Sequence, residues 1–195
     1  MKTFVASDLH FSHRNILQYC PHRRLGKDMP TDEDEVNTMV TTMNELIVRN
    51  WNSLIRPNDE VWILGDVCMG QMIHAPKWIR QLNGKKHLVK GNHDKTLAKL
   101  PEFDDMFASV QNYKELGFRY KDKKHMICMS HFPMASWNFM NQGGLMLHGH
   151  LHGSHCAVTG RIKDVGIDTN NLYPYLLDTV VEELLKIDVI RHHHD

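Results

Sequence analysis

Five short apolar runs in this chain end in the same way, and that repeated ending constrains its fold more than any other feature. Phe4-Val5-Ala6 runs into Ser7-Asp8-Leu9-His10, Val61 to Leu64 into Gly65-Asp66, and Leu88-Val89 into Gly91-Asn92-His93-Asp94. Met126 to Met129 runs into Ser130-His131, and Leu145 to Leu147 into His148-Gly149-His150-Leu151-His152. Runs this short, flanked by turn formers, read as buried strands. Each delivers polar, ligand-type residues at its C-terminal end, which is where sites assemble in α/β sheets.

Between the strands the pattern is helical. Val36, Met39, Val40, Met43, Leu46 and Ile47 recur at 3-4 spacing, predicting a helix from about Asp32 to Asn50, with Thr31 or Asp32 as its cap. Further helices are predicted over Ala75–Leu82, ending at Asn83-Gly84, and over Asp178–Ile187. Tyr113–Tyr120 and Lys124–Met129 read as a hairpin with Lys121-Asp122-Lys123 at its tip, and Ile162 to Ile167 as another strand. Alternation of strand and helix gives α/β. The closely spaced strands of the second half favour a two-sheet β-sandwich flanked by helices over a plain doubly wound sheet. No repeat or linker divides the chain, so residues 1–195 read as one domain.

Composition excludes several functions. With 23 Lys+Arg against 23 Asp+Glu there is no basic field to gather nucleic acid or anionic lipid. No apolar run approaches the ~20 residues of a membrane span, and the N-terminus reaches Asp8 too early for a signal peptide, so a cytoplasmic protein is expected. Cys20, Cys68, Cys128 and Cys156 form no C-x-x-C pair and are expected to be reduced and mostly buried. Of the 15 histidines, His192, His193 and His194 are set aside as a tail, native or tag-derived.

The remaining histidines carry the chemistry. Asp8, His10, Asp66, Asn92, His131, His150 and His152 offer N and O donors without a thiolate, which suits Mn²⁺, Fe, Ni²⁺, Co²⁺ or Zn²⁺ in a hydrolytic site. Asp8/His10 and His150/His152 are spaced i, i+2, which on extended backbone points both members of a pair to one side. Gly65, Gly91 and Gly149 just before ligands allow positive φ and close backbone approach. Seven donors exceed the needs of one ion, so two cations sharing a carboxylate is the economical reading. Structural zinc sites, by contrast, are closed, four-coordinate and usually rich in cysteine.

Asp8-x-His10, Gly65-Asp66, Gly91-Asn92-His93-Asp94, His131 and Gly149-His150-x-His152 occur in the order and approximate spacing of the calcineurin-like metallophosphoesterase superfamily, which the chain resembles from its N-terminus to about Gly153. Val165 to Asp168, Tyr173-Pro174 and the second histidine His13 resemble its small bacterial and phage branch. The resemblance implies a four-layer α/β/β/α fold. It implies one cation held by Asp8, His10, Asp66 and His152, and a second by Asp66, Asn92, His131 and His150, Mn²⁺ being the favoured metal. His93 would contact the phosphate and protonate the leaving oxygen, and Asp94 would orient it. Hydroxide bridging two cations would attack phosphorus in line.

Several residues keep two readings. His13 either lines the pocket and touches phosphate or supports a ligand, and Asp168 either anchors a ligand histidine or shapes a turn. Arg14 and Asn15 are candidate substrate contacts in a loop that otherwise reads as exposed. Pro21-His22-Arg23-Arg24 reads as a charged loop tip rather than a phosphate grip. His148 is expected to face away from the metals, and His22, His74, His87 and His125 read as ordinary histidines.

Departures narrow the substrate. The Asp-Arg-Gly block that follows Gly-Asp in the superfamily's protein phosphatases is absent from the corresponding stretch Gly65-Asp66-Val67-Cys68-Met69-Gly70, and the cap and basic surface of its DNA-repair nucleases are missing. The expected activity is hydrolysis of a phosphodiester, or else a monoester, of a small molecule or nucleotide. A nuclease and a catalytically silent metal-binding module are the alternatives. The sequence does not indicate an oligomeric state.

Overall fold

The computed structural model describes residues 1–70 and 72–190, so His192, His193 and His194 lie outside the described residues. Among the described residues nine strands form: β1 (Thr3–Ala6), β2 (Glu60–Ile63), β3 (Lys85–Val89), β4 (Ser109–Gln111), β5 (Lys114–Tyr120), β6 (Lys123–Met129), β7 (Leu145–His148), β8 (Ile162–Asp164) and β9 (Tyr175–Leu176). α-Helices accompany them at α1 (Ile16–Tyr19), α2 (Glu33–Leu54), α3 (Ala75–Ile79), α4 (Asp94–Leu97), α5 (Phe103–Met106) and α6 (Leu177–Leu184).

The strands build two mixed sheets, one in the order β4-β3-β2-β1-β9 and one in the order β5-β6-β7-β8. In the first, β1 to β4 are parallel and β9 alone is antiparallel; in the second, β6, β7 and β8 are parallel and β5 closes a hairpin. Strict side-chain alternation decides what each face meets. Phe4, Ala6, Val61, Ile63 and Leu88 face outward onto Val36, Val40, Met43, Ile47 and Trp51 of α2 and Trp78 and Ile79 of α3. Val5, Trp62, Leu64 and Val89 face inward and meet Ile127, Met129, Leu145 and Leu147 of the second sheet, with α6 completing this inner core through Val180, Val181 and Leu184. Over the second sheet's outer face the cover is thin: Cys128 and Met146 pack on Trp137 and Met140, at a one-turn 3₁₀ helix.

Local chemistry explains where elements stop. Asp32 caps α2, its carboxylate accepting from the amides of Asp34 (2.9 Å) and Glu35 (3.0 Å). The hairpin tip is two residues, Lys121 and Asp122, both at positive φ, and not the three expected. The strand expected over Ile162–Ile167 ends at Asp164, because the Asp164 carboxylate turns the chain by accepting from Gly166 N (2.8 Å). Ser7 then bridges to Gly166, which fastens the end of β1 to the second sheet. The expected helices over Ala75–Leu82 and Asp178–Ile187 are shorter, and β4 and β9, two or three residues long, carry too little periodicity to be read in advance. All four cysteines are free, with Cys20, Cys68 and Cys128 buried. Among the described residues no helix is long and apolar enough to cross a membrane.

Removing the α2 cap should cost about 1 kcal/mol. Asp32→Ala is therefore expected to lower the thermal midpoint by a few degrees, read by circular dichroism.

Candidate metal centre

The C-terminal ends of β1, β2, β3, β6 and β7 open onto one seam between the sheets, and the loops leaving them carry the polar residues singled out above. These loops are wound tightly. Asp8, His10, Asp66, His150 and His152 all have positive φ, between 50° and 72°, a left-handed region that non-glycine residues seldom enter. The i, i+2 pairs thus reach the seam through left-handed turns and not, as expected, along extended backbone. Packing forbids side chains beside them. A Cβ at Gly91 would collide with the Asp66 carboxylate, and one at Gly149 with the side chains of Ser7 and Asp8.

Two groups of donors result, Asp8/His10/His152 and Asp66/His131/His150, each with its donor atoms within 4.8 Å of one another. The His150/His152 pair therefore divides, one histidine to each group. His10 Nε2 stands 3.9 Å from both Asp8 Oδ1 and Asp66 Oδ2, which places the two groups side by side with Asp66 between them. His131 Nε2 is 3.4 Å from Asp66 Oδ2 and 2.9 Å from Asn92 Oδ1.

The hydrogen bonds leave these donors aimed inward. His131 Nδ1 donates to Leu64 O (2.8 Å) and His152 Nδ1 to Asp168 Oδ2 (2.7 Å), so in both rings Nε2 is the atom turned to the seam. Buried polar atoms nearly always find partners. Here Asp8 Oδ1, both ring nitrogens of His10 and His13 Nδ1 have none. Hard-to-borderline donors, buried and short of a partner on one shared volume, are the chemistry a divalent cation satisfies.

The electrostatics agree. Burial raises the Asp8 carboxyl to about 6 and holds the His10 imidazole neutral, well below its usual range. Burial also works against ionisation of Asp66, but the His131 hydrogen bond and charge and the His93 amide keep it down to about 2. Burial works against the His131 cation, but the Asp66 hydrogen bond and charge outweigh it and raise the imidazole above its usual range. His152 is raised to about 10, Asp168 outweighing burial.

His93 lies at the edge of the centre with 38% of its side chain exposed, Nε2 3.9 Å from Asp66 Oδ2 and its amide donating to Asp66 Oδ1 (3.0 Å). Asp94 does not touch the His93 ring, contrary to the orienting role expected. Its buried carboxylate accepts from the amides of Asp66 (3.0 Å), Val67 (3.0 Å) and Gly91 (2.7 Å), so it joins two ligand loops through their backbones. His13 sits with its ring centroid 5.2 Å from that of His10. From His13 a groove of about 590 Å³ leads away between Arg14, Asn15, Asn44 and Lys77. Arg14 is drawn off into an exposed ion pair with Glu33 (2.7 Å), and Asn15 is exposed, so neither is brought to the donors. His148 is buried and bonds Gly149 O, outside both groups.

Sequence reasoning missed Arg23 and underrated Asp168. Arg23 is not at a charged tip: its side chain is fully buried and its guanidinium grips both Asp168 oxygens. His22 adds a further hydrogen bond to Asp168 Oδ1 (2.6 Å). Cys20 clusters with His152 and Asp168, but that carboxylate is already occupied by these donors. The one available signal was negative: Pro21 and the following 3₁₀ turn fold the basic run back onto the core.

Comparison with known proteins accords with the geometry. The family model "Calcineurin-like phosphoesterase" matches residues 1–195. An uncharacterized protein of Methanocaldococcus jannaschii is 28% identical over 202 residues, 100% of this chain and 97% of the relative. The Gene 66 protein of Mycobacterium phage L5 is 28% identical over 176 residues, 77% of each chain. The fold is shared with a crystal structure of a protein of unknown function from Aquifex aeolicus, with a TM-score of 0.68 at 23% identity, covering 93% of this chain and 98% of that one.

The raised Asp8 carboxyl gives a pH signature in the metal-free protein. Between the ordinary 3.8 and about 6 only the folded chain keeps the proton, so stability is lost as pH rises through that window, on the order of 3 kcal/mol. The lowered His10 and His13 add a rise in stability over the same range, so the Asp8 contribution is read as the difference between the natural protein and Asp8→Asn in denaturant titrations with chelator present. Asp8→Asn should abolish it, leaving the metal-free variant the more stable of the two at pH 7.5.

Proposed function

We propose, from the premise that this chain belongs to the calcineurin-like phosphoesterase family, a metal-dependent phosphoesterase that holds two divalent cations and cleaves a phosphodiester of a small molecule or nucleotide. The observation that carries this reading is a pair of buried atoms without hydrogen-bond partners, Asp8 Oδ1 and His10 Nε2, with Nε2 3.9 Å from both Asp8 Oδ1 and Asp66 Oδ2 beside the second donor group. Asp8, His10, Asp66 and His152 would hold one cation, and Asp66, Asn92, His131 and His150 the other. Manganese is the cation proposed, from a donor set of carboxylate, amide and imidazole without thiolate. Cations bound there would neutralise charge on the phosphoryl oxygens and lower the pKa of an attacking water.

The chain's own residues supply the rest. Asp66 is held ionised and hydrogen-bonded to the His93 backbone, so the carboxylate between the groups and the imidazole at their edge form one rigid unit. His93 exposes its ring on the solvent side of that unit, where the alcohol or phenol oxygen of a bound ester would depart, and would donate a proton to it. Asp94, by bonding the amides of Asp66, Val67 and Gly91, fixes the distance between the loops that bear them. Arg14 is spent on Glu33, and no other arginine fork reaches the donors from the solvent side among the described residues. A doubly charged monoester end would lack a clamp there, which favours the diester.

His93→Ala is expected to keep its metal content and lose turnover by about 10²–10⁴-fold. With Mn²⁺ present, bis-p-nitrophenyl phosphate should be cleaved with a higher kcat/KM than p-nitrophenyl phosphate. A strong preference for the monoester would overturn the diester assignment.

A further inference from the structure

One buried cation touches every segment of one donor group. The Arg23 side chain is 0% exposed, and each end of its guanidinium has a partner. Nε and Nη2 donate to the two oxygens of Asp168, both at 2.6 Å. Nη2 also donates to the carbonyl of Asp8 (2.6 Å), and Nη1 to that of Leu9 (3.0 Å). Asp168 in turn accepts from Nδ1 of His152. The partners lie 14, 15 and 145 residues away in sequence.

The consequence differs for the two groups. Asp8 and His10 sit in left-handed conformations on either side of Leu9, a loop shape that the unaided backbone disfavours. Bonding the Asp8 and Leu9 carbonyls holds that shape. Clamping Asp168 on two sides fixes the acceptor for His152, hence the direction of its Nε2. The second group is held differently: His131 leans on the Leu64 carbonyl, the Asp66 carboxylate on the His93 amide, and Asp94 on the amides of Asp66, Val67 and Gly91. A positive charge this close would repel a metal ion if it were free, but the paired Asp168 carboxylate cancels it.

Resting on the two-cation reading above, we infer that Arg23 is the positioning residue of the Asp8/His10/His152 half of the centre, holding all three ligands in place before any cation arrives. Lysine cannot replace it. A single ammonium has the charge but not the planar fork that spans Asp168 and two carbonyls at once.

The test is Mn²⁺ binding, followed by electron paramagnetic resonance and calorimetry on the natural protein, Arg23→Lys and Asp168→Asn, with folding checked by circular dichroism. Folded variants should bind one Mn²⁺ about 10–100-fold more weakly than the natural protein, the range found for lost ligand supports, with the other nearly unchanged. Folded variants that match the natural protein in both affinities overturn the inference. If both single variants unfold, Arg23→Met combined with Asp168→Leu removes the buried charges together. Recovered folding without recovered Mn²⁺ affinity supports a positioning role, and recovery of both shows a merely structural one. A measurement on the natural chain covers failure of every variant. In the metal-free protein the Arg23 Nε–H should be a nitrogen-15 resonance protected from exchange, and rapid exchange with water would contradict a preformed clamp. Failure of the natural protein to bind Mn²⁺ at all would instead refute the two-cation reading.

Discussion

Where the ends of two sheets meet, Asp8, Asp66, His10 and His131 are withdrawn from water, and several of their polar atoms are left without partners. Isolated groups in that state are costly, and charged ones more so. Much of the surrounding structure follows from having to tolerate them. The loops must bring five strand ends to one seam, adopt left-handed turns to aim the side chains, and admit only glycine at Gly91 and Gly149 where carboxylates press on the backbone. The sandwich core supplies the rigidity: Val5, Leu64 and Val89 of one sheet pack on Ile127, Met129, Leu145 and Leu147 of the other, and Trp62 stacks on the buried His87, so the strand ends have little room to move.

The two donor groups are supported by different means. Asp66 and His131 are fixed through the backbone of adjacent strand ends, His131 on the Leu64 carbonyl and Asp94 joining the amides of Asp66, Val67 and Gly91. Asp8, His10 and His152 depend on the buried Arg23–Asp168 pair, which connects the start of the chain to its last third. Helix α2 adds its own support from outside, the buried Asn44 accepting from the amide of Ser12 (3.2 Å) in the loop that carries His10 and His13. A metal ion would thus enter a site whose ligand directions are set by packing and hydrogen bonds already present, the condition under which ligands need least rearrangement.

What was legible in the sequence was what is written locally. Apolar runs of strand length, each followed at once by Asp, His or Asn, announce both the sheets and the donors, because a strand end places its next residues at the sheet edge whatever the rest of the fold does. The helical spacing of Val36 to Ile47 is local too, and α2 forms there, extending to Leu54. Arg23 was misread because its partners are two backbone carbonyls and a carboxylate 145 residues away, none of which leaves a mark near Pro21–Arg24. Asp94 was given an orienting role toward His93 because the family resemblance implied it, whereas its carboxylate accepts from the amides of Asp66, Val67 and Gly91. The i, i+2 argument failed at His150 and His152 because it assumed extended backbone, and the chain there is left-handed and splits the pair.

The central claim is that Asp66 stands between two cations, and metal stoichiometry with magnetic coupling tests it most directly. Protein loaded with Mn²⁺ and freed of excess should contain two ions per chain by elemental analysis and show the resonance spectrum of an exchange-coupled pair, as expected for ions ~3.5–4 Å apart. Asp66→Ala should hold neither ion firmly while remaining folded. A single uncoupled ion in the natural protein, or two ions retained after Asp66 is removed, would contradict the account.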